Sequence, residues 1–544
     1  MAPRACPAMN EISVQSAGAI DQGGERQLCR LVEATPAQEV QSIGAAVERP
    51  DVLAAPMGSL LARMRAGELS PVDLVEEHIR RIEAVNPSLN CVVANRFEDA
   101  RREAIDAERE YGSSAKSEYA TSTQARPLLG VPFTVKEMIA VTGMPHTFGS
   151  LGRRGRRAGR DATVVARLRA AGAIPLGVTN VPEWGMWCES YNSVYGRTNN
   201  PFDPRRTPGG SSGGEGAAVG AGASVFGIGS DIGGSVRIPA SFCGVFGHKP
   251  TTGMLPLTGH YPVYIDGPDA AMSKTAPYVS IGTLTRSAAD IAPLMRAMAG
   301  RDGFDPNAEP LAFLSPDRVV WRGRRVMLLS NPLIKHAGPA EPDLTRACEG
   351  AGKLFEERGA IVQPAPERLL QHAGDVWFAA LQTVGGPSFS ELLGGGRRVH
   401  LEFEVLRTLI GVGRYSWPAL FFCIGERFGR KKEQALRAAM RETRRLARKY
   451  RELLGEDGVL VSPAYPRSAP LHNKVVLRPF DFLYAAVFNV LRVPATSAPC
   501  GFDAHGLPMA LQFTSNRGND HVTIAAAAVV ESSIGPWRPA TLHG

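Results

Sequence analysis

A glycine-dense stretch from residue 204 to 250, PRRTPGGSSGGEGAAVGAGASVFGIGSDIGGSVRIPASFCGVFGHKP, constrains this chain more than any other part of it. Lacking a Cβ, glycine lets backbone N–H groups crowd around one point in conformations that other residues avoid. Two hydroxyl-bearing clusters punctuate the stretch: Gly209-Gly210-Ser211-Ser212-Gly213-Gly214 and Asp231-Ile232-Gly233-Gly234-Ser235. Between them, the small apolar run Ala217 to Phe226 predicts a buried helix, and Ala223 to Ile228 predicts a short interior strand. A serine behind two glycines, at the end of an apolar element, is where an exposed nucleophile beside backbone donors would sit.

The flanking sequence alternates strand and helix. Ser70 can cap a helix with Pro71 in its first turn, and Val72, Val75, Ile79, Ile82 and Val85 recur at helical spacing up to Asn86-Pro87. A charged helix follows over 95–111, then a polar loop over 112–126. Strands are expected at 128–137, ending in Lys136-Glu137, and at 173–179, with a helix over 161–171 between them. Beyond the glycine-rich centre come a helix at 287–299, a strand at 325–329, a helix at 342–358 and an extended helical region to Leu454. Strands at 459–462, 495–499 and 506–513 and a helix at 521–532 complete the pattern. This alternation predicts an α/β fold, a sheet covered by helices on both faces. Residues 1–48 are polar and aperiodic and read as a flexible arm. Residues 49–535 read as one catalytic domain, 300–475 as a helical insertion lining its pocket, and 536–544 as a tail.

Several function classes drop out early. The eight cysteines are scattered without CxxC pairs, which fits free thiols in a reducing, cytoplasmic setting. No histidine spacing or Cys–His cluster suggests a metal, and none is expected. Neither a secretory h-region nor about 18 consecutive apolar residues appears, so no signal peptide or membrane span is expected. The net charge of +8 is concentrated in 430–451, with a second basic knot at 153–157. Both lack the aromatic interleaving of a nucleic-acid module and read as solvated faces.

Three residue sets carry candidate chemistry. Ser235 follows Asp231-Ile232-Gly233-Gly234, so consecutive N–H groups could converge in front of its hydroxyl as an oxyanion hole; the alternative is a tight turn with a structural serine. Gly209-x-Ser211-x-Gly213 matches a nucleophile elbow by letter, but the polar, proline-interrupted 203–208 before it is no elbow strand. Lys136 ends an apolar run: either the strand surfaces there, or the ammonium is desolvated and becomes a base near neutral pH. Ser113-x-x-Lys116 lies in a polar loop and is a coincidental SxxK match.

Lys136, Gly210-Ser211-Ser212-Gly213-Gly214 and Asp231-Ile232-Gly233-Gly234-Ser235 occur in the order, and at the spacings of 75 and 24 residues, of the amidase signature family, which this chain resembles from about residue 55 to 535. The likeness extends through residues 244–251 and 506–508, and Lys136-Glu137 with Gly213-Gly214-Glu215-Gly216 looks closest to fatty acid amide hydrolases. The resemblance implies an amidase-signature fold with a mixed central sheet. It also implies Ser235 as acyl-accepting nucleophile, Lys136 as base and Ser211 as bridging serine behind a cis Gly–Ser peptide. Backbone amides of Ile232, Gly233, Gly234 and Ser235 become the oxyanion hole, with Gly210, Ser212, Asp231 and Arg237 in support and no cofactor. The implied substrate is a small-molecule amide with a hydrophobic acyl or aryl part. The alternatives are the glutaminase subunit of a tRNA-dependent amidotransferase and a catalytically dead binding module. Partner expectations are no nucleic acid and a homodimer. The apolar residues Leu406, Leu409, Ile410, Trp417, Leu420, Phe421, Phe422, Ile424 and Phe428 read first as a core helix pair walling the acyl pocket, and second as a peripheral face on an anionic membrane.

Overall fold

The computed structural model describes residues 49–112, 126–260, 276–384, 388–394, 399–429 and 431–541; the 1–48 arm and the Ser113–Lys116 match lie outside them. Ser70 accepts hydrogen bonds from the Val72 and Asp73 amides and starts the helix Pro71–Leu89, whose buried face carries Val75, Ile79, Ile82 and Val85. This helix runs through Asn86-Pro87, where the sequence pattern suggested an end, and stops at Asn90 in the left-handed region (φ 49°). Asn86 Oδ1 then accepts from the Cys91 and Val92 amides, so the turn out of the helix is held by a side chain.

In chain order the strands are β1 (Val92–Asn95), β2 (Pro132–Lys136), β3 (Ile174–Thr179), β4 (Tyr191–Asn192), β5 (Gly196–Arg197), β6 (Phe226–Asp231) and β7 (Phe246–Lys249). They continue with β8 (Ser280–Thr285), β9 (Arg325–Leu328), β10 (Ile361–Pro364), β11 (Val459–Pro463), β12 (Ala495–Phe502) and β13 (Pro508–Ser515). Eleven form one sheet in the order β1-β3-β2-β6-β8-β7-β12-β13-β11-β9-β10, while β4 and β5 pair separately. Pairings of β2 with β3 and β6, and of β9 with β10 and β11, are parallel; the other ladders of the large sheet are antiparallel. The sheet is mixed, as expected.

Side chains alternate across a strand, and β13 shows what each face meets. Leu511 and Phe513 join the core that includes Phe355 of the helix Pro342–Glu356 and Val522, Ile524 and Val530 of the helix Asp520–Ile534. Gln512, between them in sequence, accepts from Arg237 and donates to the Tyr484 carbonyl on the opposite side. Both faces are covered. Every residue of β2, β3 and β6 is buried, with the Phe133 and Phe226 rings stacked 4.9 Å apart.

Several elements depart from the sequence reading. At the centre, the helix is Gly213–Gly220 and the strand begins at Phe226, shifted from 217–226 and 223–228. Glycine disfavours a helix intrinsically, yet here its missing Cβ is required: one on Gly214 would lie 2.4 Å from the Asn180 amide nitrogen. β1, β4, β5, β7, β8 and β10 were not anticipated; β1 and β10 are short edge strands without clean alternation, while β7 and β8 lie inside the sheet. Residues 300–475 do more than supply helices, since β9, β10 and β11 extend the main sheet.

The apolar segment 401–428 divides between the two readings: Leu420, with Phe422 and Ile424 partly buried beside it, joins the core, while others face outward. Leu401, Ala419, Leu420 and Cys423 pack inward with Met138, Phe148, Trp184 and Met186. On the other side Leu406, Leu409, Ile410, Trp417 and Phe421 are exposed, as is Phe403, with Leu409 at 67% and Ile410 at 68% of full exposure. Both helices, Leu401–Leu409 and Trp417–Gly429, therefore carry apolar residues on two faces. The basic helix Glu433–Leu454 matches expectation: Ala439, Leu446, Tyr450 and Leu454 are buried while its arginines face solvent.

Candidate active site

Parallel strands β2 and β6 end side by side, which places Lys136 next to Ser230 and Asp231 at their carboxyl ends, the edge where open α/β sheets bind ligands. Lys136 is 1% exposed, so the strand does not surface there. Its Nζ lies within hydrogen-bond distance of two hydroxyls, 2.7 Å from Ser211 Oγ and 3.0 Å from Ser230 Oγ. Burial brings its pKa from 10.5 down to about 7, against the upward pull of Asp231 and Glu215. Glu215 is itself pushed up to about 8 by burial, which outweighs bonds from the Thr134 and Thr179 hydroxyls and the charge of Lys136.

Ser211 follows a cis peptide from Gly210. The chain closes tightly here: a Cβ on Gly210 would lie 2.5 Å from the Trp187 carbonyl oxygen. Ser190 ties both ends of this turn, donating to the Gly209 carbonyl at 3.0 Å and accepting from the Gly213 amide at 3.1 Å. The Ser212 amide donates to the Ser235 carbonyl at 3.1 Å, and Ser212 Oγ lies 3.3 Å from both the amide and the carbonyl of Ser230. This joins the two glycine–serine clusters through one small residue.

The turn after β6 is built around Asp231. Its carboxylate accepts from the Gly234 amide (2.8 Å), the Val236 amide (3.1 Å) and Arg237 Nε and Nη2 (3.1 and 2.9 Å). Burial opposes the charge, but the Arg237 guanidinium and its hydrogen bonds, with Lys249, hold the carboxyl well below the usual carboxylate range. Arg237 is fully buried and also donates to the Ala485 carbonyl, Gln512 Oε1 and Asn489 Oδ1. Gly234 sits at φ +108°, and its hydrogen is directed to the carboxylate rather than outward. Among the four amides expected to face an oxyanion, it is the one with an internal partner here.

Apolar groups border these clusters. A Cβ on Gly185 would lie 3.1 Å from Met138 Sδ and 3.4 Å from Ser211 Oγ, so the 184–186 turn and Met138 crowd the bridging hydroxyl. Around Gly233 the nearest groups are the rings of Phe482 and Trp377. Glu137 is buried and accepts from the Thr147 and Phe148 amides and the Thr147 and Tyr195 hydroxyls, anchoring the loop beyond β2.

The sequence reading missed Ser230, Ser190, Glu215, Trp377 and Asn489. Only Ser230 left a local sign, a hydroxyl inside an otherwise apolar interior strand. Glu215 lies within the glycine-rich stretch itself, but its carboxylate is met by Thr134 and Thr179 from distant strands. Ser190, Trp377 and Asn489 reach the site from 19 to 258 residues away, where no spacing rule applies.

The profile of the family described as Amidase matches residues 73–524. Among curated relatives, fatty-acid amide hydrolase 2-A of Danio rerio is 37% identical over 88% of each chain. A glutamyl-tRNA(Gln) amidotransferase subunit from Thermus thermophilus is 31% identical over 87% of this chain and 96% of its own. Among solved structures, 6-aminohexanoate cyclic dimer hydrolase complexed with substrate superposes with a TM-score of 0.70 at 28% identity, covering 90% of this chain and 99% of that one.

Proposed function

The chain belongs to the amidase family, and from that premise we propose that it cleaves the C–N bond of hydrophobic acyl or aryl amides through Ser235, Ser211 and Lys136. Amide hydrolysis is the activity of the family; the residue roles and the substrate class are what is proposed. Neutral Lys136 takes the proton of Ser211, and Ser211 takes that of Ser235 as its Oγ attacks the amide carbon. The tetrahedral oxyanion is met by amides of the turn after β6, with Ile232, Gly233 and Ser235 as donors. The proton then returns along the relay to the departing amine nitrogen as the C–N bond breaks, leaving an acyl ester on Ser235. Water adds to that ester by the same relay and releases the acid.

The 2.7 Å contact between a buried, pKa-lowered amine and Ser211 Oγ carries this reading. The substrate class rests on the Met138, Trp184, Met186 and Phe482 surroundings. Labelling with a fluorophosphonate, competed by amides of graded acyl length, tests both. Modification should map to Ser235, disappear in Ser235→Ala, and be protected better by longer acyl chains. An adduct on Ser211, or protection by glutamine alone, would overturn it. A glutaminase role predicts glutamine turnover only in complex with a second protein; a dead binding module predicts no adduct.

The exposed Phe403, Leu406, Leu409 and Ile410 supply a second element of the proposal, peripheral contact with an anionic bilayer. Phe421 on the same helix pair packs 6.1 Å from Trp187, whose carbonyl lies against Gly210. Lipid-borne substrate would thus enter beside the site. Co-sedimentation with phosphatidylserine vesicles should exceed that with neutral vesicles and fall in Leu409→Glu/Ile410→Glu; insensitivity to both changes refutes it.

A further inference from the structure

Two consecutive carbonyls in the turn after β6 are held by side chains from distant parts of the chain. The Asp231 carbonyl accepts from Asn489 Nδ2 at 2.9 Å, and the Ile232 carbonyl accepts from Trp377 Nε1 at 2.9 Å. In a trans peptide, the carbonyl of one residue and the N–H of the next lie in one rigid plane and point in opposite directions. Holding the Asp231 carbonyl therefore aims the Ile232 N–H, and holding the Ile232 carbonyl aims the Gly233 N–H. Accepting a hydrogen bond also polarises the peptide and strengthens the donor at its other end.

Trp377 is well placed for this. It is buried on the helix Ala373–Val384, and its ring meets Phe482 edge-on at 5.1 Å and Phe378 at 4.9 Å. Its Cζ2 would lie 3.5 Å from a Cβ on Gly233, with Phe482 Cδ2 at 3.4 Å, so the two rings close in on this peptide from one side. Asn489 has other duties, accepting from Arg237 and donating to the Asp231 carboxylate and the Tyr278 carbonyl. The indole has one hydrogen to give, and it goes to this carbonyl.

We propose that Trp377 is a positioning residue for catalysis, orienting the Gly233 amide toward the oxyanion through its hydrogen bond to the Ile232 carbonyl. The inference rests on reading the Ile232 and Gly233 amides as oxyanion donors. A positioned donor matters only once negative charge has formed, so its loss should weaken the transition state and leave the bound ground state nearly untouched.

Trp377→Phe keeps an aromatic ring in the slot and removes the N–H. Enzyme standardised by fluorophosphonate titration would be assayed for kcat and KM on a hydrophobic anilide, and for inhibition by a trifluoromethyl ketone and by an inert substrate-shaped ether. Loss of a donor outright lowers kcat by two to three orders of magnitude elsewhere, so misaiming one should lower it by about tenfold. The ketone, which forms a tetrahedral oxyanion, should weaken by the same factor, while KM and the ether constant change by less than about twofold. An unchanged kcat and ketone constant would overturn the proposal, as would equal weakening of ketone and ether, since that is lost pocket shape. Ser235→Ala run alongside separates the layers: if it stays active, the nucleophile assignment has failed and the positioning role falls with it. If Ser235→Ala is dead and Trp377→Phe is unimpaired, the positioning role alone is wrong.

Discussion

Replacing Lys136 by methionine should destroy activity and stabilise the protein, with a pH signature that identifies the cause. The lysine pKa falls from 10.5 to about 7 because burial removes water from its ammonium. Between those two values the unfolded chain holds a proton on this amine that the folded chain does not. Stability therefore rises with pH through this window: the penalty is full below about 7 and gone above about 10.5. A base moved that far lowers folding stability by about 4 kcal/mol at pH 7 and about 2 kcal/mol at pH 9. Methionine fills the same buried slot without that penalty. It also strips Ser211 Oγ and Ser230 Oγ of a partner, which costs about 1–3 kcal/mol. The variant should be more stable than the parent by about 1–3 kcal/mol at pH 7, and the advantage should shrink by about 2 kcal/mol at pH 9. Urea unfolding of both proteins at the two pH values measures this. Titrating groups that do not feel Lys136, such as Asp290 and Glu183, cancel in the difference. Glu215 loses the downward pull of the Lys136 charge and is pushed further up in the variant, which shrinks the advantage at pH 9 in the same direction. A variant no more stable than the parent at pH 7, with a difference independent of pH, would show that residue 136 is not a desolvated amine and would remove the base from the mechanism.

For amide turnover, kcat/KM should fall about tenfold per pH unit below about pH 7, where Lys136 becomes protonated, and level off above it; a flat profile from pH 5 to 8 refutes the base assignment. Arg237→Met leaves the fully buried Asp231 carboxylate unpaired and should destabilise by about 3–5 kcal/mol. Asp231→Asn added to it should restore part of that loss in denaturant melts, and a purely additive double variant contradicts the pairing. Gly234→Ala must adopt φ +108° and place its Cβ 2.8 Å from both Ala485 Cβ and Ile238 Cδ1, so stability should drop by at least about 1–3 kcal/mol. Retention of both the parental melt and fluorophosphonate labelling would be the contrary result.

The amino-acid sequence by itself determined the alternation of strands and helices, the buried run that ends in Lys136, and the identity of the two glycine–serine clusters. These are local properties: apolar periodicity, a capping serine before Pro71, glycine where backbone must approach backbone. It also exposed where local rules mislead. The helix Gly213–Gly220 forms against glycine's intrinsic preference, because Asn180 leaves no room for a Cβ at Gly214. Only the tertiary structure decided that Lys136 is buried rather than emergent, since desolvation depends on what β3, β6 and the 211 turn place around the end of β2. Exposure of Leu406, Leu409 and Ile410 was decided in the same way, because an apolar helix face looks identical in sequence whether a core or solvent lies opposite. The bonds from Trp377 and Asn489 to the turn after β6 belong to this second kind of information. They join residues 145 and 258 positions apart, and contacts that far along a chain leave no periodicity to read; they exist only once the sheet has brought the pieces together.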